Sequence, residues 1–163
     1  PQMSVDVSNV STDIVVSMHG SPRLTRAIPT GTEAIIKSDM QNLNIEQNQA
    51  EQFVNKFGSS QSKLEGQVYQ GIIGTVDILM SEIDKTIKFF TTRYQNTKLD
   101  RIIVTGAAST LPEFPLYLAN KFAVNVEIGN AWRNVSFHPD QQSDLLTVSN
   151  HFGVAAGLAE RAE

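Results

Sequence analysis

The most constraining feature of the sequence is a short apolar run that ends in a turn of small residues. The run is Ile-Ile-Val at 102–104, the turn is Thr-Gly-Ala-Ala-Ser at 105–109, and a helical pattern begins after Pro112. A short apolar run next to a turn is typical of a buried strand. A small-residue turn lets a ligand approach the backbone, and a helix start favours anionic groups. The stretch therefore predicts a strand–turn–helix unit suited to ligand binding.

Three strand patterns open the chain. Residues 3–7 alternate between apolar and polar, residues 13–18 form a β-branched run, and residues 23–28 alternate again after a Gly-Ser-Pro turn. Short connections between such runs are typical of hairpins. The simplest arrangement is a three-stranded antiparallel meander.

Helical patterns fill the middle of the chain. They predict a helix over 32–43, a second over 46–57 that ends at Gly58, and a long third helix over 67–94. Apolar residues on the third helix recur at gaps of three and four and make one stripe. This stripe favours core packing because a buried strand follows at once, and a coiled-coil seam is the alternative. Gly71 and Gly74 interrupt this helix, which predicts close packing against a neighbour.

The remaining segments complete an α/β pattern. Residues 59–65 are polar and predict a mobile loop. Residues 112–122 predict a helix, 124–128 an alternating strand, 129–144 an irregular stretch and 145–162 a final helix with Gly153 and Gly157 at tight contacts. Helix, strand, turn, helix and strand in this order predict at least one parallel crossover.

Composition excludes several functional classes. The net charge of the 163 residues is −4, and phosphate-rich nucleic acid requires clustered Lys and Arg. There is no cysteine, so disulfide and thiolate chemistry are absent. No apolar run approaches the length of a membrane span, so direct membrane insertion is not expected, and no signal peptide is apparent. The chain enters a strand almost at once after Pro1, which suggests a piece of a longer protein.

The polar residues show no enzymatic motif. His19, His138 and His151 lack metal-ligand spacing. Ser109, Asp144 and His151 supply the residue types of a hydrolase triad, but no Gly-x-Ser-x-Gly pattern accompanies them. Trp132 lies in the irregular stretch, where it belongs either to the core or to a partner surface.

Taken in order, these segments resemble the actin-like ATPase superfamily, and within it the type IV pilus assembly PilM family, a relative of FtsA. Residues 6–12 (DVSNVST) resemble the second phosphate loop, and residues 26–31 (RAIPTG) resemble the family's Arg-x-Ile-Pro-x-Gly. Ala50-Glu51 resembles the Ala-Glu of the adenosine-contacting helix, and residues 99–112 resemble the adenosine motif. The closing helix around residues 152–161 (FGVAAGLAER) also matches.

The resemblance implies a fold and a domain division. The fold is the second lobe of an actin-like protein: a ribonuclease H-like α/β unit whose mixed sheet opens with the three-stranded antiparallel meander and is packed by helices. Residues 1–163 make up this lobe. Its core subdomain IIA covers about 1–30 and 66–163, and the smaller subdomain IIB covers about 31–65.

The resemblance also implies a set of nucleotide-binding residues. They are Asp6, Ser8, Thr12, Glu51, Gly106, Ala107 and Ser109, with Asp6 holding a metal ion indirectly through its waters. ATP and Mg²⁺ are the cofactors implied for the full-length protein, and no catalytic residue is expected in this lobe. Hydrolysis by the lobe alone is not expected, because the opposing phosphate loop of the family lies in the other lobe.

The sequence departs from the family pattern at these same positions. Ser8 stands where the phosphate loop normally has Gly, and Ala107 replaces the second Gly of the adenosine motif. The family's Lys one helical turn after Glu51 is Val54 here, and Lys56 lies on a different face of the helix. These departures suggest a nucleotide site that is degenerate.

Three functions follow from the resemblance. The first is a cytoplasmic scaffold for type IV pilus or related secretion-system assembly, peripheral at the inner membrane, where the full-length protein binds the cytoplasmic tail of an inner-membrane assembly protein. The second is an ATP-binding lobe of an active actin-like ATPase, and the third is a degenerate lobe used only for protein contacts. Self-association is a further expectation.

Overall fold

One mixed sheet organises the fold in the computed structural model, which describes residues 1–95 and 97–161. Its strands are β1 (Gln2–Val7), β2 (Thr12–Met18), β3 (Ser21–Ile28), β4 (Arg101–Thr105) and β5 (Asn125–Ile128). The helices are α1 (Thr32–Leu43), α2 (Gln47–Phe57), α3 (Gln67–Arg93), α4 (Phe114–Phe122), α5 (Gln142–Val148) and α6 (Gly153–Ala159). The predicted α/β class is confirmed.

The sheet has the strand order β3-β2-β1-β4-β5. Strands β1, β2 and β3 form the predicted antiparallel meander, and β4 lies parallel to both β1 and β5. Period-two alternation places Met3, Val5 and Val7 fully in the core, while Asp6 lies on the opposite face. In the parallel pairing Asp6 is in register with Thr105, so the ends of β1 and β4 bring these two side chains together.

Helix α3 supplies one side of the core. Its stripe is buried, including Val68, Ile72, Val76, Leu79, Met80, Ile83 and Phe90. The prediction of core packing for this stripe is confirmed. Arg26 on β3 forms an ion pair with Glu82 on α3, which ties the meander to this helix.

Helices α1 and α3 pack closely at one point. The side chain of Asp39 on α1 is fully buried against Gly71 on α3, where a Cβ would lie 2.6 Å from Asp39 Oδ1. The prediction of close packing is thus confirmed at Gly71. It is wrong at Gly74, where no atom lies within 4 Å of the Cβ position. Among the described residues neither carboxylate oxygen of Asp39 has a hydrogen-bond partner, and burial raises its pKa to about 6.

Two predicted segments differ from the structure. The polar loop over 59–65 begins with buried residues: Ser59 N–H donates to Pro112 O (2.8 Å), and Ser60 Oγ donates to Glu113 Oε1 (2.7 Å). Mobility is therefore a wrong prediction for these two residues, because they are anchored beside α4.

The helix predicted over 145–162 divides into α5 and α6. A turn at Ser149–His151 separates them, since Gly106 N–H donates to Asn150 O at 3.0 Å and that tertiary bond orients the turn. The predicted end of the helix at Ala162 lies outside the described residues. The stretch over 129–144, predicted to be irregular, includes the first residues of α5.

Candidate functional site

A fixed carboxylate lies where β1 ends. Thr105 Oγ1 donates to Asp6 Oδ2 at 2.8 Å, and Ser8 Oγ donates to Asp6 Oδ1 at 2.7 Å. Both bonds arise from neighbouring strand ends and hold the Asp6 side chain in one orientation. Crevices beside the carboxyl ends of parallel strands are the usual place for ligands in α/β sheets.

The turn after β4 requires glycine. Gly106 has φ +77° and ψ −174°, a combination that side-chain-bearing residues rarely adopt. A Cβ at this position would lie 2.4 Å from Val7 O and 2.8 Å from Asp6 Oδ1. The predicted need for backbone freedom at Gly106 is confirmed, and the turn closes directly on the end of β1.

Two cavities meet at this turn. The first measures about 310 Å³, and its lining includes Asp6, Ser8, Gly106 and Ala107 from the predicted set. The second measures about 500 Å³ and brings in Glu51 from α2. Asn9, Ala107 and His151 line both, so the two cavities adjoin each other, and they are together called the cleft.

The cleft therefore unites five predicted residues from distant parts of the chain. Asp6 and Ser8 lie on one side, Glu51 lies on the other, and Gly106 and Ala107 lie at the turn. Ala107 belongs to a turn of 3₁₀ helix (Ala107–Thr110), and its φ is not positive. The backbone accepts alanine there, and the effect of its methyl group is to narrow the cleft.

The loop between β1 and β2 has free donors. Ser8 N–H donates to Ser11 O at 2.9 Å within the loop. The N–H groups of Asn9 and Val10 have no acceptor among the described residues. Both residues line the first cavity, and free backbone N–H groups in a turn are suited to anions.

Two predicted residues do not line the cleft. Thr12 is fully buried, and its hydroxyl donates to Thr30 O at 2.7 Å. Ser109 is 1% exposed, and its hydroxyl donates to Gly106 O at 2.7 Å. Both hydroxyls are used inside the fold, so neither is available to a ligand. No hydrogen bond joins Ser109 to Asp144 or His151, which excludes a triad arrangement among these described residues.

Among the described residues, none on the face of α2 beside Glu51 is a cation. Val54 lines the second cavity with a fully buried apolar side chain, and Asn55 supplies the polar group one turn after Glu51. Lys56 points elsewhere, with its Nζ 5.4 Å from the centroid of the Phe57 ring. Sequence reasoning did not single out Asn9, Asn55, Thr110, Asn150 and His151 as cleft residues. Asn9 and Thr110 lie inside the two resembling motifs, while the other three lie outside every motif of the resemblance.

Trp132 lies over the last two helices, outside the cleft. Its ring is half-buried and packs on Phe152 with centroids 5.5 Å apart. Its Nε1–H donates to Leu145 O at 2.6 Å. The residue thus helps to attach the 129–144 stretch to α5 and α6.

The described residues show neither a preformed metal cluster nor a membrane-spanning helix. Within 1–95 and 97–161, no group of three or more His, Asp or Glu side chains is arranged to hold a metal ion directly. None of the described helices is both long and apolar enough to cross a bilayer.

The mixed sheet and its flanking helices have the actin-like fold. Solved structures with this architecture include a PilM–PilN type IV pilus biogenesis complex, at TM-score 0.80 and 22% identity over 97% of this chain and 44% of that one. The ethanolamine utilization protein EutJ of Carboxydothermus hydrogenoformans matches at TM-score 0.66 and 15% identity over 95% of this chain and 48% of its own. MreB5 of Spiroplasma citri bound to AMPPNP matches at TM-score 0.68 and 11% identity, over 97% and 51%.

Within that class the family is also shown. The model of the family "Type IV pilus assembly protein PilM" matches residues 2–163, and the chain belongs to this family. None of the curated proteins is significantly similar to it in sequence. The chain spans about half the length of the solved structures that it resembles, 44% in the PilM–PilN complex.

Proposed function

We propose that this chain is the second lobe of an assembly scaffold for a type IV pilus or a related secretion machine. Residues 1–30 and 66–163 are its core subdomain, and residues 31–65 are the smaller subdomain. The observation that carries the proposal is the family match over residues 2–163. The match to 44% of the PilM chain also supports the proposal, because one lobe of a two-lobed protein would cover about half of it.

The intact scaffold works in the cytoplasm beneath the inner membrane. Its partner is the cytoplasmic tail of an inner-membrane assembly protein, in the way that PilM is paired with PilN in the similar complex. The groove for the tail lies mainly in the first lobe, so residues 1–163 alone do not hold it.

A co-purification experiment tests the scaffold. The intact protein and the 163-residue lobe are each passed over an immobilised peptide that corresponds to the tail of the organism's own pilus inner-membrane protein. The intact protein is retained and the lobe is not. A tail peptide that retains neither protein contradicts the scaffold, and retention of the lobe alone contradicts the placement of the groove.

The second candidate is an ATP-binding lobe, favoured by the geometry of the cleft. The fixed Asp6 carboxylate would hold the waters of Mg²⁺, and the free N–H groups of Asn9 and Val10 would face the phosphates. Glu51 and Asn55 would contact the sugar. The methyl group of Ala107 and the missing Lys weaken these contacts, so the site is degenerate and binds nucleotide with reduced affinity.

A thermal shift measurement separates these two candidates. A ligand that binds only the folded state at a concentration of 100 times its Kd adds about 2.7 kcal/mol. Millimolar ATP with MgCl₂ then raises the Tm of the intact protein by several degrees if the cleft binds nucleotide. An unchanged Tm leaves only the scaffold function.

A further inference from the structure

The segment Ser149–His151 is held rigidly over the cleft. Gly106 N–H donates to Asn150 O (3.0 Å), and Ala131 N–H donates to Ser149 Oγ (2.8 Å). Ser149 and Asn150 are both 6% exposed. These contacts fix the backbone of the segment, so the exposed His151 is presented at a defined place among the residues that line both cavities, Ala107 included.

His151 lies where the two cavities join. It lines the first cavity with Asp6, Ser8 and Asn9, and the second with Glu51 and Asn55. Asn150 Nδ2 lies 3.4 Å from His151 Nε2, and no hydrogen bond with the described residues engages Nδ1. One ring nitrogen is therefore free to meet a ligand that spans both cavities.

The charge of the cleft makes this position unusual. Among the described residues that line the two cavities, Asp6 and Glu51 are acidic, and His151 is the basic one, with no Lys or Arg beside it. Lys37 lines a neighbouring cavity that shares Asn9, Val10 and Ile36 with the cleft. A nucleoside di- or triphosphate carries several negative charges, and charge-assisted donors are the strongest contacts for them.

We propose that His151 is a specificity-determining residue that contacts the phosphates of a bound nucleotide and supplies the donor that no Lys or Arg of this cleft provides. The inference rests on the proposed nucleotide binding and adds to it the group that distinguishes phosphorylated from unphosphorylated ligands. Asn9 and Val10 contribute backbone N–H donors beside it, while Glu51 and Asn55 meet the nucleoside.

Calorimetric titration of the protein in its full natural length tests this assignment. ATP, ADP and adenosine are titrated with MgCl₂ into the wild type and into His151→Ala, His151→Arg and Lys37→Ala. His151→Ala weakens ATP and ADP about tenfold, the effect of one hydrogen bond to a charged group, and leaves adenosine unchanged. His151→Arg restores the affinity, and Lys37→Ala changes it less than twofold because its side chain lies outside the two cavities.

The possible results separate the nucleotide function from the assignment of His151. A wild type that binds neither nucleotide overturns the nucleotide function and the assignment of His151 together. Wild-type binding that His151→Ala leaves within twofold overturns the assignment alone. Equal losses for ATP and adenosine, or equal losses in His151→Ala and Lys37→Ala, also overturn it, since the contact would not then be specific to the phosphates. His151 is exposed, so its variants keep the wild-type Tm.

Discussion

The glycine at the turn after β4 is the position where a single methyl group has the largest predicted effect. In Gly106→Ala the backbone must keep φ +77° and ψ −174°, which costs about 1–3 kcal/mol for a residue with a Cβ. The new Cβ would also lie 2.4 Å from Val7 O, and relief of such overpacking costs about 1–3 kcal/mol more. The sum is a loss of about 4 kcal/mol in the free energy of unfolding.

Two other glycines separate the two causes. Gly31 has an ordinary φ of −134°, but a Cβ there would lie 2.4 Å from Asn9 O and Ser8 O, so Gly31→Ala reports the clash alone. Gly20 has φ +76° and no atom within 4 Å of the Cβ position, so Gly20→Ala reports backbone strain alone and costs about 1–2 kcal/mol.

Urea unfolding followed by circular dichroism measures all three variants. Gly106→Ala is expected to unfold at the lowest urea concentration of the three. In thermal unfolding its Tm is expected to lie about 8–16 °C below that of the wild type, at 2–4 °C per kcal/mol for a domain of this size. A Gly106→Ala variant no less stable than Gly20→Ala would refute the close approach of the turn to the end of β1.

Three further predictions concern residues outside the cleft. Burial raises the pKa of Asp39 from 3.8 to about 6, so the ionised Asp39 lowers the stability of the fold as pH rises through that interval. The difference in free energy of unfolding between Asp39→Asn and the wild type, measured by urea unfolding, therefore grows by about 2 kcal/mol in favour of the variant from pH 4 to pH 7. Gly74→Ala raises the free energy of unfolding by about 1 kcal/mol, because the site is helical and open. Trp132→Phe removes the donor to Leu145 O and lowers stability by about 1 kcal/mol, measured by the same denaturation. A difference between Asp39→Asn and the wild type that does not change with pH would contradict the burial of Asp39. A lower free energy of unfolding for Gly74→Ala, or an unchanged one for Trp132→Phe, would contradict the packing described at that residue.

Local periodicity accounts for most of the fold. Alternation of period two located β1 and β3, and the long stripe located α3, because each pattern reflects burial of one face. The turn at Gly106 was predictable for a different reason: an apolar strand leads directly into small residues, and glycine readily adopts the positive φ that a tight turn requires. The end of α2 at Gly58 followed from the same kind of local rule.

Features set by tertiary contacts were not predictable from the sequence. The break between α5 and α6 depends on a bond from Gly106 to Asn150, which no local pattern announces. Asp39 is buried at a helix crossing, a place where an apolar residue is usual. Helical periodicity alone predicts that a carboxylate is exposed, so the burial of Asp39 was not predictable.

The cleft was only partly predictable. Motif resemblance brought Asp6, Ser8, Glu51, Gly106 and Ala107 to one place, since all lie at strand ends or on one helix face. The motif does not indicate side-chain direction, and Thr12 and Ser109 turn their hydroxyls into the fold. His151 comes from a segment that the sequence pattern assigns to one continuous helix over 145–162, whereas the structure places it in the turn between α5 and α6.

The most direct test of a nucleotide-binding cleft in this pilus-family lobe is an amide chemical-shift map. The ¹⁵N-labelled protein is titrated with ATP and MgCl₂, and the shifts are followed at Asn9, Val10 and Ala107. We expect these amide signals to shift together and to saturate, while the signal of Gly74, on the exposed face of α3, stays unchanged. No shift at Asn9, Val10 and Ala107 at millimolar ATP, or shifts confined to other parts of the chain, would contradict it.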